Sequence, residues 1–186
     1  YATSQAKMEN AIVAHIYNQH TEGGRMLDLG CGTGYFAHYF DYNEYVGVDL
    51  SQEMLNDAPE LADTEFVKSD IRSVDEGLFD SVVSTFSGLG YVSPTEAWDA
   101  VSSNLRDGGR FAVMFPSPEY LEGPYNEYEL NGLKPTRQDE LLATIPERLT
   151  IDSVFRFKPL DAEPPFIDAK DAPESRYIHN IVLGET

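Results

Sequence analysis

Apolar positions along this chain switch between two periods, and the switching outlines alternating helices and strands. Near the N-terminus Met8, Ile12 and Ile16 recur every four residues. That spacing predicts a helix from Ser4 to about Gln19, capped by Thr3 or Ser4. Gly23-Gly24 ends the segment, and Arg25-Met26-Leu27-Asp28-Leu29 reads as a short buried strand. A glycine turn follows at once, and Tyr35 to Phe40 starts a second helix. Tyr45 to Asp49 is a second strand that ends on an acid. Ser51 is placed to cap a short helix from Gln52 to Ala58, which Pro59 helps to end. Glu65 to Lys68 is a third strand, and Phe79 to Ser84 a fourth. After a Gly-containing loop from Thr85 to Val92, Ser93-Pro94-Thr95-Glu96 has the form of a capping box with proline at the first helical position. Ala97, Val101 and Leu105 give that helix its apolar stripe. Asp107-Gly108-Gly109 turns out of it into a fifth strand, Arg110 to Phe115.

The texture changes after Phe115. Pro116 to Pro135 is rich in Pro, Gly, Tyr and Glu and has no clean period. Thr136 to Ile145 reads as a helix, with Thr136 and Asp139 placed for capping. Leu149 to Phe157 and Tyr177 to Leu183 read as two last strands, separated by an acidic, Pro-containing loop from Lys158 to Ser175. Seven strands interleaved with helices predict an α/β protein, doubly wound around a mostly parallel sheet. No repeat, low-complexity tract or linker divides the chain, so residues 1–186 are expected to form one domain.

Composition narrows the class. The chain has 186 residues, 41% of them hydrophobic and 24% charged, the profile of a soluble globular protein. No run of 18 apolar residues suits a membrane span, and Tyr1-Ala2-Thr3-Ser4 lacks the basic and apolar regions of a signal peptide. A cytoplasmic location is the default expectation. The one cysteine, Cys31, excludes an internal disulfide and a cysteine-rich metal site, and no metal is expected. The formal net charge of −19 repels phosphate backbones, so neither nucleic acid nor a membrane is expected as a partner. Only five of the 13 bases are lysines. Such a surface suits a high-salt habitat, and it equally suits an ordinary acidic protein.

The chemistry concentrates in the turn Asp28-Leu29-Gly30-Cys31-Gly32-Thr33-Gly34. A strand, a glycine turn and a helix together let a ligand touch backbone, and the helix start offers unpaired N–H groups to an anion. In open α/β sheets such ligands lie beyond the carboxyl ends of the strands. A dinucleotide fingerprint would read G-x-G-x-x-G, yet here Tyr35 stands where that pattern wants Gly or Ala. A phosphate-binding P-loop is ruled out because no Gly-Lys-Ser/Thr follows.

These residues resemble the first motif of class I S-adenosylmethionine-dependent methyltransferases, and the similarity continues in order along the chain. Asp49 lies 19 residues past Gly30, at the end of the second strand. Asp70-Ile71 follows the third strand, Phe79-Asp80 opens the fourth, and Leu105-x-x-Gly108-Gly109 precedes the fifth. The resemblance covers Met26 to Phe115 well and the last two strands loosely. It implies a Rossmann-like sheet whose last strand runs antiparallel, and S-adenosyl-L-methionine as cofactor. It also implies roles. Gly30, Cys31, Gly32 and Gly34 bring backbone to the methionine part, and Asp28 orients the turn or meets the ammonium group. Asp49 accepts both ribose hydroxyls, with Leu50 beside it. Met54 lines the adenine pocket, or is plain helix core. Asp70 accepts from the adenine amino group and the Ile71 N–H meets the ring. Ser84 and Thr85, with Phe86, lie near the reactive methyl.

The expected reaction is in-line methyl transfer, which requires placement more than a dedicated base; no catalytic residue is assigned. The base-methylating signature Asn/Asp-Pro-Pro-aromatic is absent, since Ser84 to Leu89 stands in its place. Phe86-x-x-Leu89-x-Tyr91 is similar instead to small-molecule methyltransferases, so a small-molecule acceptor with an N or O nucleophile is expected. Residues 1–24 and 116–135 are expected to cover it, the latter with Tyr120, Tyr125 and Tyr128, and Tyr1 is placed to reach the cofactor carboxylate. His179 is the one histidine placed to point into the pocket. A pocket this open is expected to stay so or to be completed by a second subunit in a homodimer. Two alternatives stand beside this reading: a protein or peptide acceptor, and a non-catalytic cofactor-binding subunit.

Overall fold

The computed structural model describes residues 4–21, 23–86, 88–121, 132–157, 166–168 and 179–186. Among the described residues eight strands form one sheet: β1 (Arg25–Leu29), β2 (Glu44–Asp49), β3 (Thr64–Lys68), β4 (Phe79–Ser84), β5 (Leu105–Pro116), β6 (Thr150–Phe157), β7 (Phe166–Asp168) and β8 (His179–Glu185). Their order is β3-β2-β1-β4-β5-β8-β6-β7. The first five pair in parallel, and β8 runs antiparallel between β5 and β6. This is the seven-stranded doubly wound frame with an antiparallel last strand, extended at one edge by the three-residue β7. Strand order reverses between β1 and β4, and that switch point is where open α/β sheets hold ligands.

Side chains alternate along β1 and so divide between two cores. On one face α1 (Ser4–Thr21) lays Val13, Ala14 and Tyr17 over Met26, Tyr45, Val83 and Met114. On the other, α3 (Pro94–Asn104) packs Trp98 and Val101 against Leu27, Val82, Phe111 and Val113. Trp98 donates its indole N–H to the Leu141 carbonyl of α4 (Gln138–Ala143) at 2.9 Å. Coverage of both faces explains why residues 111–115 of β5 read as a continuous apolar run. No helix among the described residues is long and apolar enough to cross a membrane.

Several elements differ from the sequence reading, each for a physical reason. The buried stripe of α1 is Glu9, Val13, Tyr17 and Thr21, one residue on from the predicted Met8, Ile12 and Ile16; Met8 is 57% exposed. The helix expected from Tyr35 is a single 3-10 turn, Tyr35–His38. The chain must return along a five-residue strand, roughly 17 Å, and residues 35–43 in α-helical rise would span only about 14 Å. A 3-10 turn with extended flanks closes that gap. The Asp107-Gly108-Gly109 turn lies inside β5 as a bulge, because Phe79 pairs with Leu105 while Ser81 pairs with Arg110. Neither Thr136 nor Asp139 caps α4. Arg137 is its N-cap, while the Thr136 hydroxyl donates to the Lys134 carbonyl. The cap of α2 (Gln52–Asn56) is as expected, with the Ser51 hydroxyl accepting from the Met54 N–H. So is the box at α3, where Ser93 and Glu96 bond reciprocally.

Candidate functional site

The glycine turn is stitched to the end of β2. Gly30 and Cys31 both donate backbone N–H groups to the Val48 carbonyl, at 2.9 and 3.0 Å. Asp49 completes the join: its Oδ2 accepts from the Gly32 N–H and its Oδ1 from the Ser51 N–H, both at 2.8 Å. A carboxylate has about four acceptor positions, so Asp49 can anchor the backbone and still accept from a diol.

The three glycines serve different ends. At Gly30 a Cβ would stand 2.7 Å from the Gly88 Cα, so the turn and the loop after β4 touch through backbone. At Gly34, with φ +65°, a Cβ would run into the Phe66 ring. Gly32, with φ +58°, has no atom of the described residues within 4 Å of that position. Its open side faces a cleft, and that is the cradle a bound group would fill.

The cleft holds about 610 Å³ and is lined by Gly30, Gly32, Asp49, Leu50, Ser51, Met54, Asp70, Ile71, Arg72, Phe86, Gly88, Tyr91 and Val92. It thus gathers Gly30, Gly32, Asp49, Leu50, Met54, Asp70 and Ile71 from the sequence expectations. Large apolar side chains are normally covered, but Leu50 is 67% exposed, Met54 48%, Tyr91 46% and Phe86 36%, and all four line this cleft. Convergence of exposed apolar surface on a few acceptor groups is the make-up of a small-molecule site. The exposure of Met54 removes the plain-core reading of that residue.

Asp28, Cys31, Gly34, Ser84 and Thr85 lie behind the cleft wall instead. The Ser84 hydroxyl is buried and donates to the Leu29 carbonyl at 2.7 Å, and its own carbonyl accepts from the Tyr17 hydroxyl at 2.8 Å. Thr85 is buried and its carbonyl accepts from the Gly88 N–H. The Cys31 thiol sits against Gly47, and burial beside Asp28 and Asp49 pushes its pKa up. Asp28 is fully buried on the α1 face. Its Oδ2 accepts from the Tyr45 hydroxyl at 2.6 Å, while its Oδ1 has no donor among the described residues. Burial raises its carboxyl from 3.8 to about 7; the Tyr45 bond opposes this and the charge of Asp49 adds to it. An orphaned acceptor just beneath the turn fits a cationic group of a ligand.

Asp70 caps the 3-10 turn Ile71–Ser73 by accepting from the Arg72 N–H. Its bonds to Arg72 hold its carboxyl down, at about 2. Arg72, Ser51, Gly88 and Val92 were not foreseen as lining residues. The spacing of Asp70 and Arg72, an acid two residues before a basic side chain, was a usable signal for the turn. Phe86 has φ +38°, uncommon for a bulky residue. Its ring stands edge-on to His179 with centroids 5.9 Å apart. His179 is therefore behind the wall, and burial lowers its pKa to about 3, which keeps the ring neutral. His15 and His38 are exposed, and His20 lies at 3.0 Å from the Gly184 carbonyl. Tyr1, Tyr125 and Tyr128 fall outside the described residues, as do residues 122–131 and most of segment 158–175.

Fold and cleft together define an α/β domain with a candidate small-molecule site at the sheet's switch point. Residues 26–109 match the methyltransferase domain family. Over 114 residues the chain is 33% identical to the dTDP-3-amino-3,4,6-trideoxy-alpha-D-glucopyranose N,N-dimethyltransferase of Streptomyces venezuelae, covering 56% of this chain and 48% of that protein. Curated relatives are matched over 48%, 44% and 32% of their length, so the chain spans less than half of each. Among solved structures, the N-methyltransferase NodS of Bradyrhizobium japonicum, in complex with S-adenosyl-L-homocysteine, superposes with a TM-score of 0.71 at 13% identity, covering 99% of this chain and 88% of its own. A Haloferax volcanii chain solved with the Trm112 methyltransferase activator gives 0.69 at 17% identity, covering 95% and 88%. Over residues 26–109 the chain is thus similar to a methyltransferase domain, and its sheet has the fold of solved S-adenosylmethionine-dependent methyltransferases.

Proposed function

We propose that this chain transfers the methyl group of S-adenosylmethionine to an amine or hydroxyl of a small molecule, at the cleft beside Gly32. The observation that carries this reading is the pairing of an unobstructed Gly32 with acceptor groups and exposed apolar side chains on the opposite walls. Gly32 lets the donor's methionine part lie against backbone. Asp49 takes the ribose diol with the acceptor positions its two backbone bonds leave open. Leu50 and Met54 sandwich the adenine, and Asp70 and Ile71 meet its edge. Asp28 compensates the donor's positive charge from below. Phe86 and Tyr91 exclude water at the methyl end, with segments 1–24 and 116–135 of the same domain on the acceptor side.

When bound, the donor supplies a methyl group already activated by its sulfonium. An acceptor held at the Phe86 and Tyr91 end of the cleft would receive that methyl on its lone pair and would give up its proton to solvent. Placement of the nucleophile can supply much of the barrier reduction. A nitrogen nucleophile is favoured by two proteins this chain is similar to, an N,N-dimethyltransferase and an N-methyltransferase.

The test is calorimetric titration of S-adenosylmethionine into the parent and into Asp49→Ala, followed by transfer of labelled methyl to a panel of small amines and alcohols. The variant is expected to bind about 100-fold more weakly or worse, the loss of two charge-assisted hydrogen bonds. Failure of the parent to bind would refute the cofactor site. Tight binding with no transfer to any acceptor would favour the non-catalytic subunit.

A further inference from the structure

Arg72 stands on the rim of the cleft, and its guanidinium grips Asp70 in a fork. Nε donates to Asp70 Oδ1 at 2.9 Å and Nη2 donates to Oδ2 at 2.6 Å. The Arg72 backbone N–H donates to Oδ1 as well, at 2.9 Å. On its far side Nη1 donates to Glu96 Oε1 at 3.2 Å. Glu96 is already fixed, because its Oε2 accepts from the Ser93 N–H at 2.8 Å and from the Ser93 hydroxyl at 2.7 Å. A continuous chain of charge-assisted bonds therefore runs from the first turn of α3 to the Asp70 carboxylate.

Exposed ion pairs contribute little to stability, and the Arg72 and Asp70 side chains are 52% and 29% exposed. The consequence of the fork lies in geometry. Three N–H groups fix the plane of the carboxylate, two of them on Oδ1 and one on Oδ2. Oδ2 keeps the freer acceptor position. Those bonds also keep Asp70 ionised through the neutral range, so it accepts hydrogen bonds and never donates one.

We propose that Arg72 is a positioning residue for base selectivity: by fixing Asp70 as a one-way acceptor, it makes the cleft take a 6-amino purine and refuse a 6-oxo purine. The inference rests on the reading that this cleft holds an adenosyl group. A 6-amino purine presents N–H donors to the carboxylate, whereas a 6-oxo purine sets a carbonyl oxygen against it and leaves two acceptors facing each other. Sites built around one hydrogen-bond polarity reject the wrong partner strongly because the mismatched groups go unpaired. A carboxylate free to rotate away would forfeit that rejection.

The experiment titrates two probes, S-adenosylhomocysteine and S-inosylhomocysteine, into the parent chain, Arg72→Gln, Arg72→Lys and Asp70→Asn. The parent should prefer the adenosyl probe by about 100-fold or more. Arg72→Gln should lose about 10-fold in adenosyl affinity with inosyl affinity unchanged or improved, so selectivity narrows. Arg72→Lys, which keeps the charge without the fork, should recover part of it. Asp70→Asn should tilt preference toward the inosyl probe, because a carboxamide can donate to the 6-oxo group. A merely structural Arg72 would weaken both probes equally. Arg72→Gln with the parental ratio, or with both affinities lowered equally, overturns the inference. A parent that binds neither probe removes the cofactor reading and this inference with it.

Discussion

Replacing Gly32 by alanine is expected to abolish S-adenosylmethionine binding in a protein that still folds. The added methyl meets no atom of the described residues within 4 Å, so among them the fold bears only the left-handed backbone at φ +58°. That strain costs roughly 1–2 kcal/mol. A ligand lying on the turn would collide with the methyl directly. Gly34→Ala should behave in the opposite way. Its methyl would be driven into Phe66, whose ring packs on Tyr45 with centroids 5.8 Å apart. Overpacking and backbone strain together should cost about 3–5 kcal/mol. Urea denaturation and calorimetry on both variants separate the two roles. A Gly32→Ala protein that binds like the parent would place the cofactor away from this turn.

Asp28→Asn should make the ligand-free protein more stable at pH 8 and poorer at binding. Burial raises the Asp28 carboxyl from 3.8 to about 7 in the folded chain. A raised acid favours folding fully below its unfolded pKa, and that contribution is lost as pH climbs through the folded value. Between about pH 4 and 7 the folded state gives up stability from this group, on the order of 4 kcal/mol in all. Asparagine mimics the protonated form, keeps an acceptor for the Tyr45 hydroxyl and does not ionise. The difference between variant and parent should therefore be near its minimum at pH 4 and grow toward pH 8, as read by denaturation at several pH values. Affinity should move the other way. In the parent it should rise with pH through the same window, because the ionised carboxylate is the form that faces a cation. In Asp28→Asn that rise should vanish. A variant–parent gap independent of pH would show that Asp28 is already ionised in the ligand-free protein.

Much of this was legible in the sequence, and the residues show why. The strands β1 and β4 were delimited correctly because each carries apolar residues for both faces of the sheet, Met26 and Leu27 in β1 and Val82 and Val83 in β4. The caps Ser51 and Ser93 were legible because local hydrogen bonding is written in short spacings. The order of Gly30, Gly32, Asp49 and Asp70 pointed to the cleft because each lies at or just past the carboxyl end of a strand. What failed was tertiary. The face of α1 was set by packing against Met26 and Val83, which periodicity at Met8, Ile12 and Ile16 did not reveal. The 3-10 turn at Tyr35 was set by the distance back to β2. Gly34 and Cys31 carry the motif's pattern, yet their neighbours across the sheet, Phe66 and Gly47, determine what they do. Ser84 and Thr85 were placed at the site by their position in the chain, whereas the side chain that reaches the cleft is that of Phe86, turned there by a positive φ that no local pattern announces.

The central claim is that the cleft beside Gly32 is the methyl-donor site. A crystal structure of the protein with S-adenosylhomocysteine tests it most directly. The account predicts the ribose hydroxyls on Asp49, the adenine between Leu50 and Met54 with its amino group on Asp70, and the homocysteine backbone against Gly32. A ligand bound elsewhere, or in this cleft with its ribose turned away from Asp49, would contradict it.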